Sequence, residues 1–313
     1  MKALDLIGIG ECMVECHADQ PLGTTPTLKR SFGGDVLNTL VTASRLGLRT
    51  GFVSRVGDDP FGPGLIASWE EEGIDTTHAP LVPGENGIYF ISLLEGGERE
   101  FTYRRAGSAA SKLQSEHLDP SYLASARMLL VSGITQAISE SARKTVLEAV
   151  KMARSFGVQV VYDPNFRPRL WESQGGLEAA RTAFEEVLPM VDLLLPSFPA
   201  DLTFLEPSVQ NQHQALDVLS ALHPFVVLKS GEDGAFYHHA GAEGHIPALP
   251  VDQVMDTTGA GDCWNGAFLT RFLQSTPLPE AIQFAHRVAA RKLAFRGAIP
   301  PKDLFGAFHL EVQ

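Results

Sequence analysis

The stretch Asp256-Thr257-Thr258-Gly259-Ala260-Gly261-Asp262, running on into Cys263-Trp264-Asn265-Gly266-Ala267-Phe268-Leu269, combines three features that chemistry can use. Small residues let a backbone approach a ligand closely, the onset of a helix aims free N–H groups at it, and Asp262 sets a carboxylate beside those donors. A backbone cradle for a charged phosphoryl group, next to a base that can take a hydroxyl proton, supplies the positioning and electrostatic stabilisation that phosphoryl transfer needs. The plainer alternative is a glycine-rich turn capped by an aspartate. The stretch alone leaves both open.

Three further segments carry polar groups at useful spacing. In Ser31-Phe32-Gly33-Gly34-Asp35-Val36-Leu37-Asn38-Thr39, the glycine pair turns N–H groups outward. Asp35 and Asn38, three apart near a helix start, could meet sugar hydroxyls. An Asp N-cap with a solvated Asn is the alternative. Between Gly87 and Tyr103 two strand-like runs, Ile88 to Leu94 and Arg99 to Tyr103, flank Glu95-Gly96-Gly97-Glu98, which reads as a hairpin. Tyr89, Tyr103, Arg104 and Arg105 decorate it, with Tyr103 and Arg105 on one face by strand alternation. The hairpin is thus either a flap that closes over an anionic, hydroxylated ligand or an edge strand protected by charge. In Asp163-Pro164-Asn165-Phe166-Arg167-Pro168, Asn165 and Arg167 follow a strand, where open α/β sheets bind ligands; a structural Asp-Pro turn is the alternative. Ser230-Gly231-Glu232-Asp233-Gly234 is a second loop of this kind.

The elements that position these groups alternate. Strands read at Leu4 to Ile9, Thr50 to Val56, Leu129 to Val131, Val158 to Tyr162, Leu193 to Leu195 and Phe225 to Lys229. Helical spacing reads from Leu40 to Gly47, Leu65 to Glu72, Ile138 to Phe156, Leu177 to Leu188 and Pro279 to about Arg296. Glu11 to His17 is a further extended piece before a Pro- and Thr-rich loop, and Phe236 to His239 with His245 to Pro247 reads as an antiparallel continuation. The pattern predicts a mostly parallel sheet covered by helices on both faces. Gly8-Ile9-Gly10 lacks the third glycine of a dinucleotide fingerprint, because Met13 stands in its place.

Composition narrows the function classes. Hydrophobic residues make up 44% and charged residues 20% of the 313, as in a globular protein, and no apolar run is long enough to span a bilayer. Asp5 interrupts what would have to be a signal peptide's apolar region, so the chain reads as cytoplasmic. A net charge of −12 repels nucleic acid and anionic membranes, so anionic substrates need a local basic patch. Cys12, Cys16 and Cys263 are too few and too oddly numbered for a disulfide framework, and the ten histidines show no metal spacing.

Gly33-Gly34-Asp35-Val36-Leu37-Asn38, with Gly47 and Gly57 downstream, resembles the N-terminal signature of the ribokinase-like (PfkB) carbohydrate kinases, and Asp256 to Leu269 resembles their C-terminal signature. The resemblance covers essentially the whole chain. It implies one α/β domain over residues 1–313, a three-layer sandwich with a mostly parallel sheet and a small β-sheet lid whose strands are inserted at about 11–17 and 87–105. It also implies transfer of the γ-phosphoryl of ATP, with Mg²⁺, to a sugar hydroxyl. Asp262 would be the base, held ionised by the helix N-terminus. The N–H groups of Gly259, Ala260 and Gly261 would form the anion hole. Lys229, Ser230, Gly231 and Gly234 would lie along the nucleotide, with Asn165 near its phosphates. Tyr103-Arg104-Arg105-Ala106-Gly107-Ser108 and Asp163-Pro164-Asn165-Phe166-Arg167 resemble the 2-keto-3-deoxygluconate kinases within the family. That match implies Gly34, Asn38, Tyr89, Tyr103, Arg105 and Arg167 as substrate contacts, and paired arginines suit a keto acid's carboxylate. Fructokinases share the Asp-Pro-Asn-x-Arg segment and are the alternative, with a non-catalytic sugar-binding regulator as a third reading. Where many relatives carry Asn-x-x-Glu, this chain has Ser197 and Asp201, so no protein ligand for Mg²⁺ is assigned. Some members bind a monovalent cation by the anion hole, which the sequence leaves open. Relatives use their lids in dimer contacts, and a homo-oligomer is the expectation.

Overall fold

The computed structural model describes residues 2–18, 20–93, 99–306 and 308. The strands are β1 Leu4–Ile9, β2 Met13–His17, β3 Lys29–Gly33, β4 Thr50–Val53, β5 Val56–Gly57, β6 Ile74–Asp75, β7 Leu81–Val82, β8 Gly87–Leu93, β9 Arg99–Arg104, β10 Ala126–Ser132, β11 Gln159–Asp163, β12 Leu193–Leu194, β13 Phe225–Lys229, β14 Ala235–His239 and β15 Ala242–Ile246. Among the described residues, nine form one sheet in the order β15-β14-β13-β12-β11-β10-β1-β4-β6. Its pairs from β13 through β6 are parallel, and β14 and β15 add an antiparallel edge.

The central strands are apolar throughout because both of their faces are covered. Leu6, Met128, Leu130 and Val161 point into one hydrophobic cluster with the helices Asp35–Arg45, Ala260–Leu273 and Leu278–Lys292. Their neighbours Ile7, Ile9, Leu129, Val131 and Val160 point into a second cluster with Glu140–Ser155, Gly176–Val187 and Gln212–Leu222. The period of two along each strand therefore divides one sheet between two helical layers. This is the expected three-layer arrangement.

A second, four-stranded sheet runs β3-β2-β8-β9. β8 and β9 pair antiparallel with Tyr89 opposite Tyr103, as expected for the hairpin arms, while the turn Glu95-Gly96-Gly97-Glu98 lies outside the described residues. β2 pairs parallel to β8 and antiparallel to β3. The sequence reading missed β3, because Lys29 and Arg30 are exposed and the segment has no apolar alternation. The run Thr50 to Val56, read as one strand, divides into β4 and β5, the latter pairing with β7. The helix expected from Ile138 begins at Glu140, where the Ser139 hydroxyl accepts from Ala142 N at 3.0 Å.

Candidate active site

One cavity of about 900 Å³ opens where the carboxyl ends of β1, β10, β11 and β13 meet the small sheet and the start of the helix Ala260–Leu273. Strands ending together at one edge of a parallel sheet make such a crevice. It is lined by Gly34, Asp35, Asn38, Asn165, Lys229, Gly259, Gly261 and Asp262 from the main layer, and by Tyr89, Tyr103, Arg105 and Arg167 around its mouth. Residues from six sequence segments thus converge on one space.

The helix start is built by Gly259, whose φ of +70° is left-handed and whose added Cβ would sit 2.7 Å from Ala298 O. Only glycine fits both demands. Gly261 is exposed at the cavity, whereas Ala260 N donates to Thr257 O at 3.1 Å. Of the three N–H groups expected to form an anion hole, the Ala260 donor is already engaged.

Asp262 stands at the first turn, half-buried. Asn38 Nδ2 donates to its Oδ2 at 2.8 Å, and Thr39 Oγ1 donates to its main-chain O at 3.2 Å. Burial, reinforced by the negative charges of Asp35 and Asp163, pushes its pKa up to about 7, against the opposing hydrogen bond from Asn38 and the charge of Lys229. This corrects the expectation that the helix start keeps it simply ionised: burial and two neighbouring acids outweigh the dipole. A carboxyl that titrates near neutrality is matched to general-base work.

Asn38 is therefore a partner of the Asp262 carboxylate as well as a wall residue, its Oδ1 accepting from Gly34 N at 3.3 Å. Asp35 accepts from Ser132 Oγ and, at 3.2 Å, from Asn165 Nδ2, while its Oδ1 is buried with no hydrogen-bond partner among the described residues. Asp35 itself lines the cavity, so that orphaned acceptor is suited to a ligand hydroxyl. Asn165 has φ of +40°, its N–H closing a turn onto Asp163 Oδ1 at 3.1 Å; its amide turns to Asp35.

Lys229 lines the cavity, but its ammonium is engaged by neighbouring side chains. Its Nζ donates to Asp163 Oδ2 at 2.7 Å and to Asn265 Oδ1 at 3.0 Å, and Asn265 Nδ2 donates to Asp163 Oδ2 at 2.6 Å. This buried triangle ties β11 and β13 to the helix Ala260–Leu273. Ser230, Gly231 and Gly234 fall outside the cavity lining and close a turn of their own, in which Ser230 N donates to Gly234 O at 2.8 Å.

At the mouth, Tyr89 and Tyr103 stack with centroids 5.8 Å apart, and Tyr103 is 46% exposed. The Tyr89 hydroxyl donates to Glu15, so it presents its ring rather than its oxygen to a ligand. Arg105 pairs with Glu11, and its Nε is buried with no hydrogen-bond partner among the described residues. Arg167, exposed, donates only to Phe166 O at 3.0 Å among the described residues. Glu11 and Asp163 were missed by the sequence reading. Asp163 ends a parallel strand and Glu11 lies two residues beyond one, the positional signal that had singled out Asn165.

Among the described residues no group of three or more His, Cys, Asp or Glu could hold a metal ion. Asp201, at the altered Asn-x-x-Glu region, is wholly buried, and its two oxygens accept from Phe166 N and Ser197 N, each at 2.6 Å. It pins two loops together. The residues present do not form a protein cage for Mg²⁺.

A mostly parallel sheet between helical layers, a small separate sheet over the strand ends and a glycine-bounded helix start beside an aspartate define a ribokinase-like kinase. The chain belongs to the pfkB family of carbohydrate kinases, whose family model matches residues 3–303. It is 33% identical to the 2-dehydro-3-deoxygluconokinase of Dickeya dadantii, over 98% of this chain and 100% of that one. It is 30% identical to Fructokinase-1 of Oryza sativa, over 94% of this chain and 93% of the other. Among solved structures, an Escherichia coli protein provisionally described as ribokinase II, in complex with ATP and Mg²⁺, superposes with a TM-score of 0.86 at 26% identity, covering 98% and 99% of the two chains.

Proposed function

We propose that the protein is an ATP-dependent kinase of 2-keto-3-deoxygluconate, transferring the γ-phosphoryl to the terminal hydroxyl to give the 6-phosphate. The observation that carries this reading is the pair Arg105 and Arg167 at the mouth of the cavity that holds Asp262. A keto acid has a carboxylate for the guanidinium groups and, at its other end, a hydroxyl for the base. The 2-dehydro-3-deoxygluconokinases among its relatives support the same substrate.

In this reading Asp262 Oδ1 takes the hydroxyl proton while Asn38 holds Oδ2. The N–H groups of Gly259, Ala260 and Gly261 meet the transferring group, which requires the Ala260 donor to turn from Thr257 O. The Asp35 carboxylate binds sugar hydroxyls, and Asn165 lies near the phosphates of the nucleotide. Tyr89 and Tyr103 cover the carbon chain and exclude water. Ser230, Gly231 and Gly234 flank the nucleotide at the end of β13. Mg²⁺ enters on ATP, held by phosphate oxygens and water, as its reluctance to dehydrate favours.

The test is turnover of 2-keto-3-deoxygluconate and fructose side by side in an ADP-release assay. Arg105→Ala and Arg167→Ala are expected to lose roughly 10²-fold in kcat/KM on the acid, about 2–3 kcal/mol, and little on fructose. Equal losses on both substrates would remove the carboxylate clamp. Preference of the parent for fructose would make the protein a neutral-sugar kinase, and silence on a wide sugar panel would leave a binding protein.

A further inference from the structure

Lys292, the last residue of the helix Leu278–Lys292, is 0% exposed. Its Nζ donates to Asp256 O at 2.8 Å and reaches Phe295 O at 3.5 Å. Asp256 opens the loop that leads into Gly259, and its carboxylate accepts from Thr258 N at 2.8 Å and Gly297 N at 2.7 Å. Burial works against that carboxylate's charge, but these two hydrogen bonds and the Lys292 charge hold its pKa below the ordinary value. Glu15, on the small sheet, also feels the charge of this ammonium. A cation removed from water costs several kcal/mol unless it is closely partnered. Here two main-chain oxygens meet it and the negative charges of Asp256 and Glu15 act on it, the kind of oxygen environment that also replaces the hydration shell of K⁺.

We propose that the Lys292 ammonium is a tethered substitute for a monovalent cation: it organises the loop Asp256–Gly259 ahead of the helix start, and the residues present do not fit an exchangeable ion there. Lys292 is a positioning residue, acting through the Asp256 main chain. Removing the ammonium while keeping the stem leaves oxygens that a free ion can fill.

Two measurements decide it. In buffer whose only cation is tetramethylammonium, the parent protein keeps full activity, and exchange for K⁺ or Na⁺ at fixed ionic strength changes turnover by less than about two-fold. Clear activation of the parent by either ion overturns the proposal. Lys292→Met is expected to lose at least about ten-fold in kcat in tetramethylammonium and to recover most of it in K⁺ or NH₄⁺. Its melting temperature should likewise rise in K⁺ relative to tetramethylammonium, a shift the parent lacks. The melting arm needs no acceptor, so it stands even if the keto acid is not the substrate. An unaltered variant, or a folded one that no cation restores in either assay, overturns the idea. If Lys292→Met does not fold, the parent's cation response alone decides.

Discussion

At the scale of residues, Asp262 connects structure to pH. Partial burial beside Asp35 and Asp163 pushes the pKa of its carboxyl up to about 7, and as the proposed base it would act only when deprotonated, so kcat/KM should rise with pH through about that value. Replacing Asp35 by Asn removes a neighbouring negative charge, favours the ionised form and should move the rising limb to lower pH. Replacing Asn38 by Leu removes the donor to Oδ2 and should move it upward. Limbs that stay fixed in both variants would mean that another group sets the profile. Asp262→Asn should lower kcat by roughly 10³-fold while nucleotide binding, followed by calorimetry, persists. The same substitution should stabilise the fold. With a native pKa above the unfolded value, the folded state holds the proton longer, so stability is lost as pH rises from about 4 to 7. The variant should therefore melt a few degrees higher than the parent at pH 8, and the difference should vanish near pH 4.

At the scale of elements, Asp262, the proposed base, is positioned by two helices at very close approach. A Cβ on Gly266 would meet Thr39 O and Thr42 Cβ, each at 2.6 Å, so the helices Asp35–Arg45 and Ala260–Leu273 can touch there only through glycine. Neighbouring Thr39 joins them again through the Asp262 carbonyl. Gly266→Ala should force the helices apart, cost about 1–3 kcal/mol in denaturant unfolding and lower kcat as well. Unchanged stability would show that the helices separate freely. The glycine was visible in the sequence as part of a signature, but its purpose was not. A signature records which residue is present, whereas the clash it avoids belongs to a helix more than 200 positions away.

At the scale of the molecule, β3 and β9 are the edges of the small sheet, and Arg30 and Arg104 are exposed on them. Such edges pair readily with a second copy. Light scattering is expected to give a mass above one chain, with Lys29 to Gly33 protected from exchange on association. Ligand should increase hydrogen-exchange protection of β8 and β9 if the small sheet closes over the cavity, and equal protection with and without ligand would count against closure.

The sequence by itself determined the alternation of strands and helices, the two glycine-bounded segments and the carboxylate at the second of them. These are local: apolar period, turn residues and helix onset are written in neighbouring positions. Only the tertiary structure decided that Lys229 is held by Asp163 and Asn265, that Arg105 is shared with Glu11, and that β3 completes the small sheet. Each of those depends on a partner far away in the chain, and a buried charge takes its role from whichever group desolvation forces it to meet. The helix start at Gly259, which the sequence left open between a phosphoryl cradle and a capped turn, carries in the folded chain an aspartate whose carboxyl its neighbours poise near neutrality.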